Sequence, residues 1–408
     1  MITKRLFLAG AAAMAVATRV SAAPALSSLN TGAVAITVAE RLARIAKLRG
    51  LMQAQGVGAL IVESGPTLDY FTGVQWWRSE RITAAILPAD GDPIIVTPAF
   101  EEPSVRESLA IPAEVRPWNE DEDPTAFLAR GLSDRKLSAG KVAFEATTRL
   151  FIVDGVRRAN PDLVVVSGVA LVNACRQIKS PAELALMQVA NDITLAALRY
   201  VHGQVQAGMA THDIAELMDK TSGTLGGASE FSLVLLNEAS AYPHGSKQAQ
   251  SVRDGSVILM DCGCQVHGYQ SDMSRSWVFG TPTAKQRKVW ETVRRGQDVA
   301  LETAKIGVPV GAIDDAVRAF YEKEGWGPGY HLPGLPHRTG HGIGLEGHES
   351  PYLVHGDMTP LQAGMCFSDE PGLYIPGEFG IRLEDCWHMT ESGPKLFSPL
   401  AESFDNPV

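Results

Sequence analysis

Residues 331–355, HLPGLPHRTGHGIGLEGHESPYLVH, hold five of the chain's ten histidines among five glycines and three prolines. That density cannot build a helix interior, because proline lacks the backbone N–H and glycine forfeits backbone entropy. The segment therefore reads as irregular backbone and short strands that present imidazoles to a site. Neutral imidazole ligates metals and carries protons near neutral pH. Histidines in a glycine-rich loop are as often merely solvated. The carboxylates on either side of the segment decide between these readings.

Asp261 and Asp272 come before it. Asp261 directly follows the apolar run VILM at 257–260, and a charge at the end of a buried strand needs a partner or a metal. A strand-end turn is the ordinary alternative. Glu370 in CFSDEPG (366–372) and Glu384 in GIRLED (380–385) come after it. In the second motif Ile381 and Leu383 alternate with Arg382 and Glu384, so the arginine and the glutamate leave a strand on one side. An arginine so placed steadies a ligating carboxylate; the ordinary alternative is a surface ion pair worth little. Asp261, Asp272, His341, Glu370 and Glu384 would together satisfy two divalent ions, with carboxylates bridging them. Hard oxygen donors plus one imidazole suit Mn²⁺ first, and Co²⁺ or Zn²⁺ as well, with room for a shared hydroxide.

Working outward, an apolar face at Leu42, Ile45, Leu48 and Met52 predicts a helix from Val38 that stops at Gly56. Strands are expected at 57–62, 82–87, 94–97, 141–145 and 163–167, with helices near 99–110 and 124–131, an alternating α/β unit over 38–172. Ser180-Pro181-Ala182-Glu183 offers an N-cap, a proline at the first helical position and an acid in the first turn. It predicts a long helix to about Val205, followed by another from Thr211. Strands are expected at 231–237, 256–262, 265–270 and 274–279, helices near 283–305 and 311–324, and strands again over 365–390. Strands and helix pairs, twice over, make 173–408 an α+β domain of two related halves.

Composition bounds the function. The 408 residues are 45% hydrophobic and 20% charged, ordinary for a globular chain with a sizeable core. A net charge of −10 with no basic block excludes nucleic acid as an expected partner. Residues 1–22 read as an export signal: Lys4 and Arg5, an apolar run from Leu6 to Ala17, then the small-residue pattern Val20-Ser21-Ala22. The motif around Lys4-Arg5 resembles a twin-arginine signal with lysine in the first place. The run is shorter than a membrane span of ~20 residues, so no span is expected after signal removal, and 23–37 reads as a linker. The expected location is periplasmic or secreted. Five widely spaced cysteines form no disulfide framework and read as buried free thiols.

The ordered set Asp261, Asp272, His341, Glu370 and Glu384 lies within PHG (243–245), GHGIG (340–344), GHE (347–349), DEPG (369–372) and RLED (382–385). In that order it resembles the creatinase/prolidase family of pita-bread metallopeptidases. RQIKSPAE (176–183) resembles that family's domain junction, and DYFTG (69–73) a segment of its N-terminal domain. The resemblance implies an α+β pita-bread catalytic domain preceded by a smaller α/β creatinase-type domain. It implies that Asp272 and Glu384 bridge two metal ions, and that Glu370 helps deprotonate the nucleophilic water. His244 and His348 would contact the substrate carbonyl and pass a proton to the leaving nitrogen, while His337 and Arg382 would hold substrate or ligands. Ser274 and Ser276 stand where the family usually has threonines.

The reading that follows is an exported metallopeptidase of the Xaa-Pro dipeptidase or aminopeptidase type, expected to be a homodimer. In such members an N-terminal domain, often the partner's, closes the pocket. Trp76, Trp77 and Arg78 lie on the loop that would do so, with Arg78 meeting a substrate carboxylate. Two alternatives stay open: a non-peptide member of the fold, such as a dimethylsulfoniopropionate lyase, and an inactive binding protein. Against the second, an unused cluster of four carboxylates repels itself without cations.

Overall fold

The computed structural model describes residues 26–408; the expected export signal over 1–22 lies outside them, as does the start of the linker. Helix α1 (Val38–Gln55) starts where Thr37 accepts from the Glu40 N–H at 3.2 Å and ends at Gly56, which turns left-handed at φ 65°. Then come β1 (Val57–Glu63), α2 (Pro66–Thr72), β2 (Ala84–Pro88), β3 (Ile94–Pro98) and α3 (Glu102–Ser108). After these come β4 (Glu114–Trp118), α4 (Pro124–Asp134), β5 (Gly140–Phe144), α5 (Leu150–Ala159) and β6 (Leu163–Ser167). The strands form one mixed sheet in the order β4-β3-β2-β1-β5-β6. Alternation along β1 splits the core. Leu60 and Val62 pack with Leu48 and Met52 of α1, while Ala59 and Ile61 pack with Leu128, Leu132 and Val156 of α4 and α5. The sheet is thus covered on both faces, as an α/β domain requires.

Helix α6 (Val169–Arg176) leads to α7 (Pro181–His202) and α8 (Thr211–Leu225). The expected cap of α7 is present as a capping box: Ser180 Oγ accepts from the Glu183 N–H at 3.3 Å, and Glu183 Oε2 accepts from the Ser180 N–H at 2.8 Å. Strands β7 (Ala228–Leu236), β8 (Ser256–Val266), β9 (Tyr269–Gln270) and β10 (Met273–Phe279) pair beneath these helices. A second helix pair, α9 (Ala284–Thr303) and α10 (Gly311–Lys323), precedes β11 (Gly340–Gly342), β12 (Glu349–Leu353) and β13 (Cys366–Asp369). Strands β14 (Gly372–Ile375), β15 (Phe379–Arg382), β16 (Asp385–Thr390) and β17 (Gly393–Leu396) close the chain. Helix pairs outside and strands inside, repeated, make the pita-bread architecture.

Three sequence expectations are corrected. Asp261 is not at a strand end: β8 runs five residues past it, and Asp261 faces the site from mid-strand. The strand expected over 265–270 is broken by a turn at His267 and Gly268, at φ 48° and 85°. Helices α2, α5 and α6 and strand β4 lie where the sequence patterns predict no element. All five cysteines are free and buried, as expected. Among the described residues no helix is long and apolar enough to cross a membrane.

Candidate metal centre

Strands from both halves bring the carboxylates together. Asp261 projects from β8, and Asp272 sits in the turn between β9 and β10. His341 is the middle residue of β11, Glu370 directly follows β13, and Glu384 lies between β15 and β16. His341 Nε2 lies 3.4 Å from Glu370 Oε1, 3.6 Å from Asp272 Oδ2 and 4.0 Å from Glu384 Oε1. Three ligand groups close within 4.8 Å: Asp272-His341-His348, His341-Glu370-Glu384 and Asp261-Asp272-Glu384. Asp272, His341 and Glu384 each belong to two of them. Beneath, Ser274 Oγ is 3.0 Å from Asp261 Oδ1 and 2.8 Å from Glu384 Oε2, so the hydroxyl kept at this position does face the cluster.

The ring of His341 is set for ligation. Its Nδ1 lies 3.1 Å from the Gly342 carbonyl, which can only accept, so Nδ1 carries the proton. Nε2 then turns a lone pair toward three carboxylate oxygens. Burial, with the His348 ring tilted against it at 3.9 Å between centroids, holds the imidazole well below its usual pKa and so neutral. A lone pair facing carboxylates repels them unless a cation lies between. The carboxyls tell the same story. Burial, then Asp261 and Glu370, pushes Asp272 well above its usual range; burial, then Asp272 and Glu370, does so for Glu384. Burial pushes Glu370 up to about 7, with Arg382 opposing and Asp261 adding to the rise. The donor set fits divalent cations.

Arg382 is spent on this cluster. Its Nη2 pairs with Asp261 Oδ2, its Nε donates to Ser274 Oγ at 2.9 Å, and its Nη1 donates to Tyr374 OH at 3.1 Å. Tyr374 OH in turn lies 2.9 Å from His337 Nε2, while His337 Nδ1 donates to Arg338 O at 2.8 Å. Burial and Arg382 lower His337 to about 3, so it stays neutral. His244 and His348 stand exposed on the rim of the same cavity, of about 380 Å³. Phe231, Leu233 and Pro243 form its apolar wall. Arg78 does not reach this cavity in its own chain; its Nε lies 3.9 Å from Glu63 Oε2. Trp76 and Trp77 stack at 5.4 Å on a neighbouring surface cavity.

Sequence reasoning missed Tyr374 and Arg338, both of which bear on the cavity. Alternation from Gly372 along the strand after DEPG was the available signal for Tyr374; nothing in the spacing marked Arg338.

A two-layer pita-bread domain with four carboxylates and an inward imidazole, behind an α/β domain, defines a prolidase-like metallopeptidase. Residues 185–391 match the model of metallopeptidase family M24, and residues 44–178 that of the creatinase/prolidase N-terminal domain. The chain belongs to metallopeptidase family M24, whose members use divalent metals. It is 31% identical over 364 residues to an Xaa-Pro dipeptidase of Lactobacillus helveticus, covering 86% of this chain and 95% of that one. Among solved structures it is similar to dipeptidase PepE of Mycobacterium ulcerans (29% identity, TM-score 0.79, 90% and 97% covered). It is also similar to a prolidase of Thermococcus sibiricus (26% identity, TM-score 0.81, 87% and 96% covered).

Proposed function

We propose that this chain hydrolyses Xaa-Pro amide bonds of dipeptides or short peptides, using two divalent ions held by Asp261, Asp272, His341, Glu370 and Glu384. The observation that carries the reading is His341, whose proton-free Nε2 faces three carboxylates at 3.4–4.0 Å. Of the three residues that belong to two ligand groups, Asp272 and Glu384 are the carboxylates, each with two oxygens to share, which supports them as the bridging pair. Mn²⁺ is the first expectation, then Co²⁺ or Zn²⁺. Bound there, such ions lower the pKa of a water and polarise a carbonyl.

The chain's own residues do the rest. The Glu370 side chain is 13% exposed against 6% for Asp272 and 2% for Glu384; Asp261, at 15%, is held by Arg382 and Ser274, so Glu370 is the ligand left to accept the proton of an arriving water. His348 and His244, on the rim, would donate to the carbonyl oxygen and to the departing nitrogen. Arg382 fixes the orientation of Asp261, neutral His337 faces the substrate, and the apolar wall suits a proline ring. Arg78 would reach a pocket only across a homodimer, which we propose along with export by the N-terminal segment.

The test is hydrolysis of Ala-Pro, Gly-Pro, Ala-Pro-Pro and Ala-Ala by chelated protein, before and after Mn²⁺ is restored. Metal-dependent release of proline from the dipeptides is the expected outcome. Metal-independent turnover, or silence on all four with two ions bound, would sink the reading; the second result would leave a non-peptide substrate in the same site.

A further inference from the structure

The cavity wall carries two guanidinium groups, Arg382 and Arg338. Arg382 is buried and committed to Asp261, Ser274 and Tyr374. Arg338 is half-buried, and among the described residues no carboxylate pairs with it. In a chain of net charge −10, an unpaired arginine in a cavity wall calls for an explanation. Two divalent ions would cancel the charge of the four ligand carboxylates, and Arg382 is held against Asp261, leaving Arg338 as the cation free to meet a ligand.

Its placement is built. Arg338 lies over the Tyr352 ring, 4.2 Å from its centroid. On one side its backbone carbonyl accepts from His337 Nδ1 at 2.8 Å. On the other, Thr339 donates to buried Asp314 through N at 3.0 Å and Oγ1 at 2.8 Å. Arg338 Nη2 is 3.3 Å from His348 Nδ1, and the His348 ring lies tilted against His341 with 3.9 Å between centroids. Those two contacts span the order of one or two residues of extended peptide, ~3.5 Å each. An anion on Arg338 would thus sit about one residue beyond a carbonyl at the ligand cluster.

Resting on the function proposed above, we infer that Arg338 takes the free carboxylate of a substrate whose last residue follows the scissile bond. The geometry assigns to Arg338, from within the same chain, the contact that sequence reasoning gave to Arg78. The substrate class is then the Xaa-Pro dipeptide, and longer peptides are disfavoured because their next amide brings no charge to a fork shaped for carboxylate.

The experiment compares Ala-Pro, Ala-prolinamide and Ala-Pro-Pro on Mn²⁺-loaded wild type, Arg338→Met and Arg338→Lys, with metal content and melting temperature read for each. Wild type should prefer the free acid to the amide. Arg338→Met should raise KM for Ala-Pro about 10- to 100-fold, the worth of a hydrogen bond to a charged group, with kcat less affected. Its acid-over-amide preference should fall to near unity. Arg338→Lys should keep part of that preference, as a point charge without the fork. A wild type indifferent to the amide overturns the inference. So does an Arg338→Met variant that keeps the wild-type ratio, or one that loses only kcat, which would make Arg338 a prop for His348. Wild-type silence on every substrate would instead sink the hydrolase reading, and the inference with it.

Discussion

Glu370 is where crowding of like charge has the plainest consequence. In the metal-free protein, burial and then Asp261, against the pull of Arg382, lift its carboxyl from 4.5 to about 7. Between those values the folded chain holds a proton that the unfolded chain has released, so stability is lost as pH rises through that window. Asp272 and Glu384, also raised, act with the same sign. The unfolding free energy of chelated protein should therefore fall from pH 4.5 to 7, by about 1.4 kcal/mol per pH unit for each such group within its window, and its melting temperature with it. The gain from added Mn²⁺ should grow over the same range, because ligands must be deprotonated. Chelated protein that instead grew more stable toward pH 7 would contradict the crowding. Glu370→Gln, which keeps an oxygen ligand but cannot take a proton, should lower kcat about 10²- to 10⁴-fold with the melting temperature near wild type. A full-rate variant would remove Glu370 from its role. The cluster was legible because its acids border apolar runs, where an uncompensated charge is costly. Arg338 and Tyr374 were not, since their aim depends on cavity walls that only the assembled strands supply.

At the level of elements, the site hangs on strands that lie unusually close. A Cβ on Gly340 would meet Ser368 O at 2.2 Å and Leu353 Cδ1 at 2.9 Å. The first obstacle is backbone, so β11 would have to part from β13. His341, next in chain, donates its N–H to Ser368 Oγ at 3.0 Å and would move with it. Gly340→Ala should cost about 1–3 kcal/mol in chemical denaturation and lower the bound metal per chain. Gly223, exposed in α8 with nothing within 4 Å of its added Cβ, is the control. Gly223→Ala should stabilise by about 0.5–1 kcal/mol and leave metal content alone. Elements with strong caps or a one-sided apolar face, such as α1 and α7, could be read directly. Helix α2 could not: its side chains from Thr67 to Thr72 are all buried, so no polar face betrays a helical period. Strand β4, with Pro117 and only Trp118 buried, shows no alternation either.

Across the whole molecule, the two domains are joined by ionic contacts that the sequence does not advertise, because partners lie far apart in the chain. Arg44 Nη2 donates to Tyr269 OH at 3.0 Å, and Tyr269 OH donates to Glu183 Oε1 at 2.8 Å. At the domain junction Arg176 Nη2 lies 2.5 Å from Glu349 Oε2, and Lys179 Nζ pairs with the other oxygen of the same carboxylate. Glu349 opens β12, directly after His348, so this junction braces the rim of the catalytic cavity. Burial works to raise the Glu349 carboxyl, yet Lys179 and Arg176 together hold it below its usual 4.5. A depressed carboxyl contributes stability that is present above the unfolded value and lost as pH falls through the folded one. That window lies below 4.5, clear of the opposite effect of Glu370. Glu349→Gln would leave buried Lys179 without a counter-charge and Arg176 with Glu346 alone, 2.8 Å away, at a cost of about 3–5 kcal/mol near neutral pH. The variant should lose the wild-type drop in stability below pH 4.5, and its two domains should melt further apart. Arg176→Met with Glu349→Met, which removes charge from both sides, should recover part of the loss. Calorimetry from pH 3 to 7 checks this: a Glu349→Gln protein melting as wild type does would mean that apolar packing alone joins the domains.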